Sequence, residues 1–171
     1  MMELGKATQK RKKICTMIEE NPGLCYCHIQ KELGLVNGIL SHHIKILEKN
    51  DSIRIRRENR KTWFFPPNSD PKNDFLLIYS KKETYRKIIM FLLQEKQADF
   101  NEIRQNIGKS PSTTSIALSN LIQRNLIKKT QDFKKKYELY NYDHAIELLS
   151  KAEPKTSDKI KDRFADTFSY F

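Results

Sequence analysis

Four groups of side chains in this chain have types and spacings that could do chemistry. Cys25-Tyr26-Cys27-His28 places two thiols and an imidazole within four consecutive positions, a donor set suited to zinc or a softer cation. If all three lie on one helix, however, Cys25 and Cys27 point about 200° apart and reach one ion only where that helix frays. The remaining thiol, Cys15, aligns with Ile89 in the internal repeat set out below and is expected in the core. His42 and His43 are adjacent and diverge by about 100° on a helix, which suits one base or phosphate contact and one packing residue better than a ligand pair. Gly108-Lys109-Ser110 has the ending of a phosphate-cradling loop, yet Ile103 stands five positions before Gly108 and a helical pattern precedes it where a strand is required. With no Ser/His/Asp elbow, carboxylate pair or closed zinc spacing elsewhere, the chain is read as non-enzymatic and without a cofactor.

The fourth group is basic. Segments 1–13, 54–61 and 128–136 each carry five Lys or Arg against one Asp or Glu, +12 in all against +11 for the 171 residues, so the other 141 net about −1. Charge gathered in this way suits a polyanion, since a surface built for solubility mixes its signs. Lys6, Lys10, Arg11, Lys12 and Lys13 have no apolar stretch behind them, so the N-terminus does not read as a secretory signal. The longest apolar runs, 75–79 and 88–93, fall far short of a membrane span, and three cysteines make no disulfide framework. A cytoplasmic protein with no membrane partner is expected.

The elements that must position these groups recur. An offset of 74 residues aligns 14–66 with 88–140 without a gap, with seven identities, among them Gly34/Gly108, Ser41/Ser115 and Lys61/Lys135. Apolar positions correspond in type as well: Met17/Phe91, Tyr26/Phe100, Ile44/Leu118, Trp63/Tyr137 and Phe65/Leu139. Each copy opens with a helix, over 10–20 and 82–95, carrying Ile14, Met17 and Ile18 or Ile88, Phe91 and Leu92 at helical spacing. A second helix is expected over about 25–33 and 99–107, Asp99 capping the latter, with Gly34 or Gly108 in the exit turn. A third follows, starting at Asn37-Gly38 in one copy and at Ser110-Pro111 in the other. The period then drops to two. Ile53 and Ile55 alternate with Arg54 and Arg56, and Trp63 and Phe65 with Thr62 and Phe64, which reads as a hairpin with one buried face; Leu126 to Tyr140 repeats it around a turn at 132–135.

Three helices and a basic hairpin, twice, is the order of a winged helix-turn-helix. The expected architecture is mainly α with small β-hairpin wings, an α+β pair of tandem winged modules at 1–67 and 81–142. A linker and lead-in at 68–80 and a C-terminal helical extension at 143–171 complete it. In the extension Ile160, Phe164 and Phe168 form an apolar stripe, which closes over the chain's own core or makes a homodimer.

In this motif the third helix enters the major groove and the wing lies on the backbone or minor groove. The candidate base readers are Asn37, Ser41, His42 and Lys45 in the first copy, and Ser112, Thr113, Ser115, Ser119 and Gln123 in the second. The candidate wing contacts are Arg54, Arg56, Arg57, Arg60 and Lys61, and Lys134, Lys135 and Lys136. The stretch Asn21-Pro22-Gly23, Tyr26 with Ile29, Leu33-Gly34-Leu35, and Gly38-Ile39-Leu40-Ser41-His42-His43-Ile44 ahead of Leu47-Glu48 resembles the archaeal tandem winged-helix transcription regulators of the ArsR and MarR type. The resemblance covers about 30 residues and implies promoter occupancy. The second copy lacks the Asn-Pro-Gly turn and the histidines, so the implication is firmer for the first.

The reading is therefore a sequence-specific regulator of double-stranded DNA. Three alternatives stand beside it. Leu24-Cys25-Tyr26-Cys27-His28-Ile29 is similar to the metal-binding box of ArsR repressors, which implies metal or thiol sensing through Cys25, Cys27 and His28, although the Asn-Pro-Gly subgroup does not. A sequence-independent chromatin or single-strand binder would stack bases on Trp63, Phe64 and Tyr137. An adaptor would use the second copy, whose third helix has no Lys or Arg before Arg124, to hold protein.

Overall fold

The computed structural model describes residues 2–58, 60–131 and 133–152. Contacts divide the chain into unit 1, Met1–Asp74, and unit 2, Phe75–Phe171. Both are mainly helical with a small antiparallel sheet.

Unit 1 opens with α1, Met2–Glu20, longer than the stripe of apolar residues that identified it. Ile14 and Ile18 of that stripe are fully buried. After the turn at 21–23 come β1, Leu24–Cys25, and α2, Tyr26–Leu33. Gly34 ends α2 at φ +59, the left-handed conformation that a residue without Cβ adopts at least cost. Three residues later α3, Asn37–Lys49, begins, burying Leu40, His43, Ile44 and Leu47. Strands β2, Arg54–Glu58, and β3, Lys61–Phe65, close the unit in the order β1-β3-β2. The core gathers Ile14, Ile18, Ile29, Leu40, Ile44, Leu47, Ile53 and Phe64.

Here the sheet departs from expectation. Ile55 faces Phe64 across the ladder, on the core side, whereas Arg54 faces Phe65 and Arg56 faces Trp63 on the opposite side. That second face is covered too: Trp63, Phe64 and Phe65 are all buried. A central strand covered on both faces reads as a continuous apolar run, and this is why three aromatics stand in succession where a half-buried strand would alternate.

In unit 2 the same order returns: α4, Asp74–Ser80, which starts at the boundary; α5, Glu83–Glu95; β4, Gln97–Ala98; α6, Phe100–Ile107; α7, Pro111–Gln123; β5, Ile127–Lys129; β6, Tyr137–Leu139; and α8, Tyr142–Ala152. The sheet order is β4-β6-β5. Helices α6 and α7 begin 74 residues after α2 and α3, at Phe100 and Pro111. Asp99 closes a capping box with Glu102, and Ser110 accepts from the Thr113 backbone N–H. The two starts in unit 1 have no side-chain cap bond.

The offset of 74 fails in the last strand. Tyr137 lies opposite Ala98 and Lys129, as Phe64 lies opposite Leu24 and Ile55. Tyr137 therefore occupies the place of Phe64, not of Trp63, because the second hairpin is one residue shorter; a one-residue slip exchanges the faces of a strand. The stretch 68–80, read from sequence as linker and lead-in, holds a 3-10 turn at Pro71–Asn73 and α4, with Leu76, Leu77 and Ile78 buried. Helix α8 starts one residue before the extension expected from 143; the stripe Ile160, Phe164 and Phe168 lies outside the described residues. Among the described residues no helix is long and apolar enough to cross a membrane.

Candidate nucleic-acid interface

The inward set of α3 decides which side chains it can offer. With Leu40, His43, Ile44 and Leu47 buried, the 3.6-residue period turns His42 and Lys45 outward; both are exposed, as is Asn37, the first residue of the helix. Of the adjacent histidines His43 is the packing residue, its ring 6.0 Å from that of His42. Its Nδ1 is buried without a hydrogen-bond partner, and burial, reinforced by Arg11, lowers its pKa below the ordinary imidazole value. Ser41 is half-buried and engaged: the Tyr26 hydroxyl donates to the Asn37 carbonyl at 2.9 Å and lies 2.9 Å from Ser41 Oγ. This pair of bonds ties the start of α2 to the first turn of α3.

Two residues were missed by reading polar positions alone. Val36 and Ile39, 63% and 45% exposed, stand beside Asn37 at the start of α3. The period gave no signal for Val36, which stands four positions before Leu40 and eight before Ile44, in line with the buried stripe; it is exposed because it is the extended residue that precedes the helix. In α7 the exposed positions are Pro111, Ser112, Thr113, Ser115, Ser119 and Gln123, together with Ile116 at 63%. The Ser112 and Thr113 hydroxyls lie 3.1 and 2.9 Å from Ser110 Oγ, a small network around the cap.

The hairpin arginines divide. Arg54 grips the Asp74 carboxylate with two bonds, 2.8 and 2.6 Å, and also donates to Ser69 at 2.8 Å. Arg56 reaches the same carboxylate at 3.1 Å, and the Asp74 side chain is 1% exposed. The Arg54 guanidinium over the Phe65 ring, at 4.7 Å, completes the cover on the outer face of the sheet. Hydrogen bonding to Asp74 raises the pKa of Arg54 further, and that to Glu48 does the same for Arg57, which pairs with it bidentately at 3.0 Å. At the turn Arg60 is exposed at φ +61, with Lys61 exposed beside it.

In unit 2 Lys134 lies 3.7 Å from Asp99, Lys135 is exposed, and Lys136 is half-buried with its backbone N–H on Thr130 Oγ1. Lys128 pairs with Glu138 at 3.0 Å, and Lys129 sits over the Tyr137 ring. The stacking groove of the single-strand alternative does not form from its named rings: Trp63 and Phe64 are buried and Tyr137 is half-buried.

The cysteine cluster is closer than a helical geometry allows. Cys25 is extended, at φ −87 and ψ 159, as the last residue of β1 and the cap of α2. Only Cys27 is helical, so the divergence of about 200° expected on one helix does not apply. The sulfurs of Cys25 and Cys27 are joined as a disulfide, a pairing the odd cysteine count did not suggest, and His28 Nδ1 lies 3.3 Å from Cys25 Sγ. One donor atom from each of Cys25, Cys27 and His28 falls within 4.8 Å of the others. Cys15 is unpaired and half-buried in α1, and burial pushes its thiol pKa up.

Residues 8–75, nearly the span of unit 1, match the model of a family described as an N-terminal HTH domain. The chain is also similar to an uncharacterized HTH-type transcriptional regulator of Methanocaldococcus jannaschii, 26% identical over 122 residues, which cover 71% of this chain. The match spans 31% of that relative's length, less than a third.

Proposed function

We propose that the chain is a DNA-binding transcription regulator that reads double-stranded DNA by sequence. Unit 1 is a winged helix-turn-helix: α2 and α3 are the helix pair, α3 enters the major groove, and the β2–β3 hairpin is the wing. The observation that carries this reading is the composition of the outer face of α3. It presents Asn37, His42 and Lys45 while Leu40, His43, Ile44 and Leu47 are buried. Asn pairs with adenine edges, Lys with guanine or phosphate, and His donates to either. Arg60 and Lys61 then take the backbone or minor groove, whereas Arg54 and Arg56 brace the wing through Asp74 instead of reaching phosphate.

Unit 2 is a second winged module of the same tandem, in the manner of the ArsR and MarR type regulators. It supplies a second reading helix that such regulators otherwise obtain by dimerising. The outer face of α7 carries hydroxyls and Ile116 but no charge, so unit 2 contributes shape and van der Waals contact more than phosphate binding. A cytoplasmic location follows from the same reading.

Selection of binding sites from random duplexes tests it, followed by titration of the best and an unrelated duplex at several salt concentrations. The expected result is an enriched motif bound about a thousandfold more tightly than unrelated DNA. Equal affinities with a steep salt slope would make the chain an architectural binder and refute sequence reading.

A further inference from the structure

The disulfide at the entrance to α2 flanks Tyr26, whose hydroxyl makes the bonds that hold α3. We propose that Cys25 and Cys27 are a reversible dithiol/disulfide pair, exchanging with small-molecule thiols, whose oxidised form holds Tyr26 on α3 and strengthens DNA binding by unit 1. The inference rests on the regulator reading for its consequence and on the structure alone for the pair.

The bridged residues straddle a corner. Cys25 belongs to β1, opposite Trp63 in the ladder, and Cys27 to the first turn of α2, with Cα atoms 5.4 Å apart. Closing the bridge encloses Tyr26 in a small ring and fixes the direction in which its side chain leaves the corner. That side chain ends on the Asn37 carbonyl and Ser41 Oγ at 2.9 Å each, in the first turn of the reading helix. Without the bridge the corner regains backbone freedom, and the hydroxyl must order itself before it can hold α3.

Access and chemistry are in place. Cys27 is exposed, so a thiolate of glutathione can attack its sulfur. The S–S bond breaks, Cys25 leaves as thiolate and takes a proton, with His28 Nδ1 at 3.3 Å placed to deliver it. A second glutathione thiolate attacks the glutathione sulfur of the mixed disulfide, releasing Cys27 and forming oxidised glutathione. Two electrons pass from two glutathiones to the protein disulfide, and their two thiol protons end on Cys25 and Cys27. Oxidised glutathione drives the reverse.

The test uses the full chain in glutathione buffers of increasing oxidised fraction, with alkylation and intact mass as the first readout. The expected course is one step from three alkylated sulfurs to one, Cys15 being labelled throughout. Trp63, the sole tryptophan, faces Cys25 across the ladder and should lose emission in the same step. The oxidised chain should bind its selected duplex about fivefold more tightly than the reduced chain, the worth of roughly one hydrogen bond. Tyr26→Phe should keep the alkylation step and abolish the difference in affinity, and Cys27→Ser should lose the step.

Three labelled sulfurs at every buffer ratio would overturn the pair, as would sulfurs that resist label until a chelator removes a bound cation. Equal affinity of the two forms, with the alkylation step present, would overturn the link to α3. A chain that binds no duplex in either form refutes the regulator reading and the link together, while alkylation still decides the pair.

Discussion

On the proposed reading, Arg54→Ala distinguishes an arginine that holds the hairpin from one that would touch DNA. The substitution removes both bonds to a carboxylate that is 1% exposed, together with the bond to Ser69. Breaking a buried pair by removing one partner costs about 3–5 kcal/mol. Arg54 itself remains 23% exposed and Arg56 still reaches Asp74 at 3.1 Å, so the lower end applies, about 3 kcal/mol. Unit 1 comprises 74 residues, and at about 2.1 cal/mol/K of unfolding entropy per residue that loss lowers its melting midpoint by roughly 15–20 °C. Trp63 lies in unit 1 and is the sole tryptophan, so its fluorescence follows this transition selectively. Below the new midpoint the slope of log affinity against log salt should equal that of the unmodified chain, because no phosphate contact is lost. Arg60→Ala should do the opposite: an unchanged midpoint, and a slope shallower by about 0.9, one counterion. An Arg54→Ala chain that melts normally and loses one unit of salt slope would show that Arg54 spends its charge on DNA and that Asp74 does not retain it.

Two further predictions concern unit 1 alone. Burial lowers the pKa of His43 in the folded state. As pH falls from about 7 toward 5 the unfolded chain takes up a proton before the folded one, and stability declines across and below the ordinary imidazole value near 6.5. Urea midpoints measured through this range should fall for the unmodified chain and fall less for His43→Leu; identical slopes would remove His43 as the cause. Gly34 and Gly38 should respond to alanine with opposite signs, although a Cβ at either meets nothing within 4 Å. At Gly34, φ +59, alanine costs about 1 kcal/mol, while at Gly38, inside α3, it contributes up to about 1 kcal/mol of helix propensity. Thermal melts in which both shift the same way would contradict the backbone argument.

Much of the candidate interface was legible because it depends on local periods. The stripe that buries Leu40, Ile44 and Leu47 turns His42 and Lys45 outward, whatever α3 packs against. Gly34 and Gly108 marked the exits of α2 and α6, since few residues other than glycine accept that conformation cheaply. Asp99 and Ser110 marked helix starts, since their side chains bond backbone N–H groups two or three residues ahead. The two-residue strands β1 and β4 left no signal, because two residues define no period and their partners lie about 40 positions away.

What the sequence determined by itself was the order of the longer helices and the hairpins, the offset at which they recur, the inward faces of the helices and the places where charge gathers. All of these follow from interactions between residues a few positions apart, or from composition. The tertiary structure alone decided how that charge is used. Five basic residues between 54 and 61 look alike in sequence, yet Arg54 and Arg56 close on Asp74, Arg57 on Glu48, and Arg60 and Lys61 are left exposed at the turn. Asp74 lies 18 to 20 positions beyond the arginines it binds, and no local period anticipates an ion pair made by a returning chain. The same holds for Cys25: a strand pairing with β3 draws it out of the helix and brings its sulfur to Cys27.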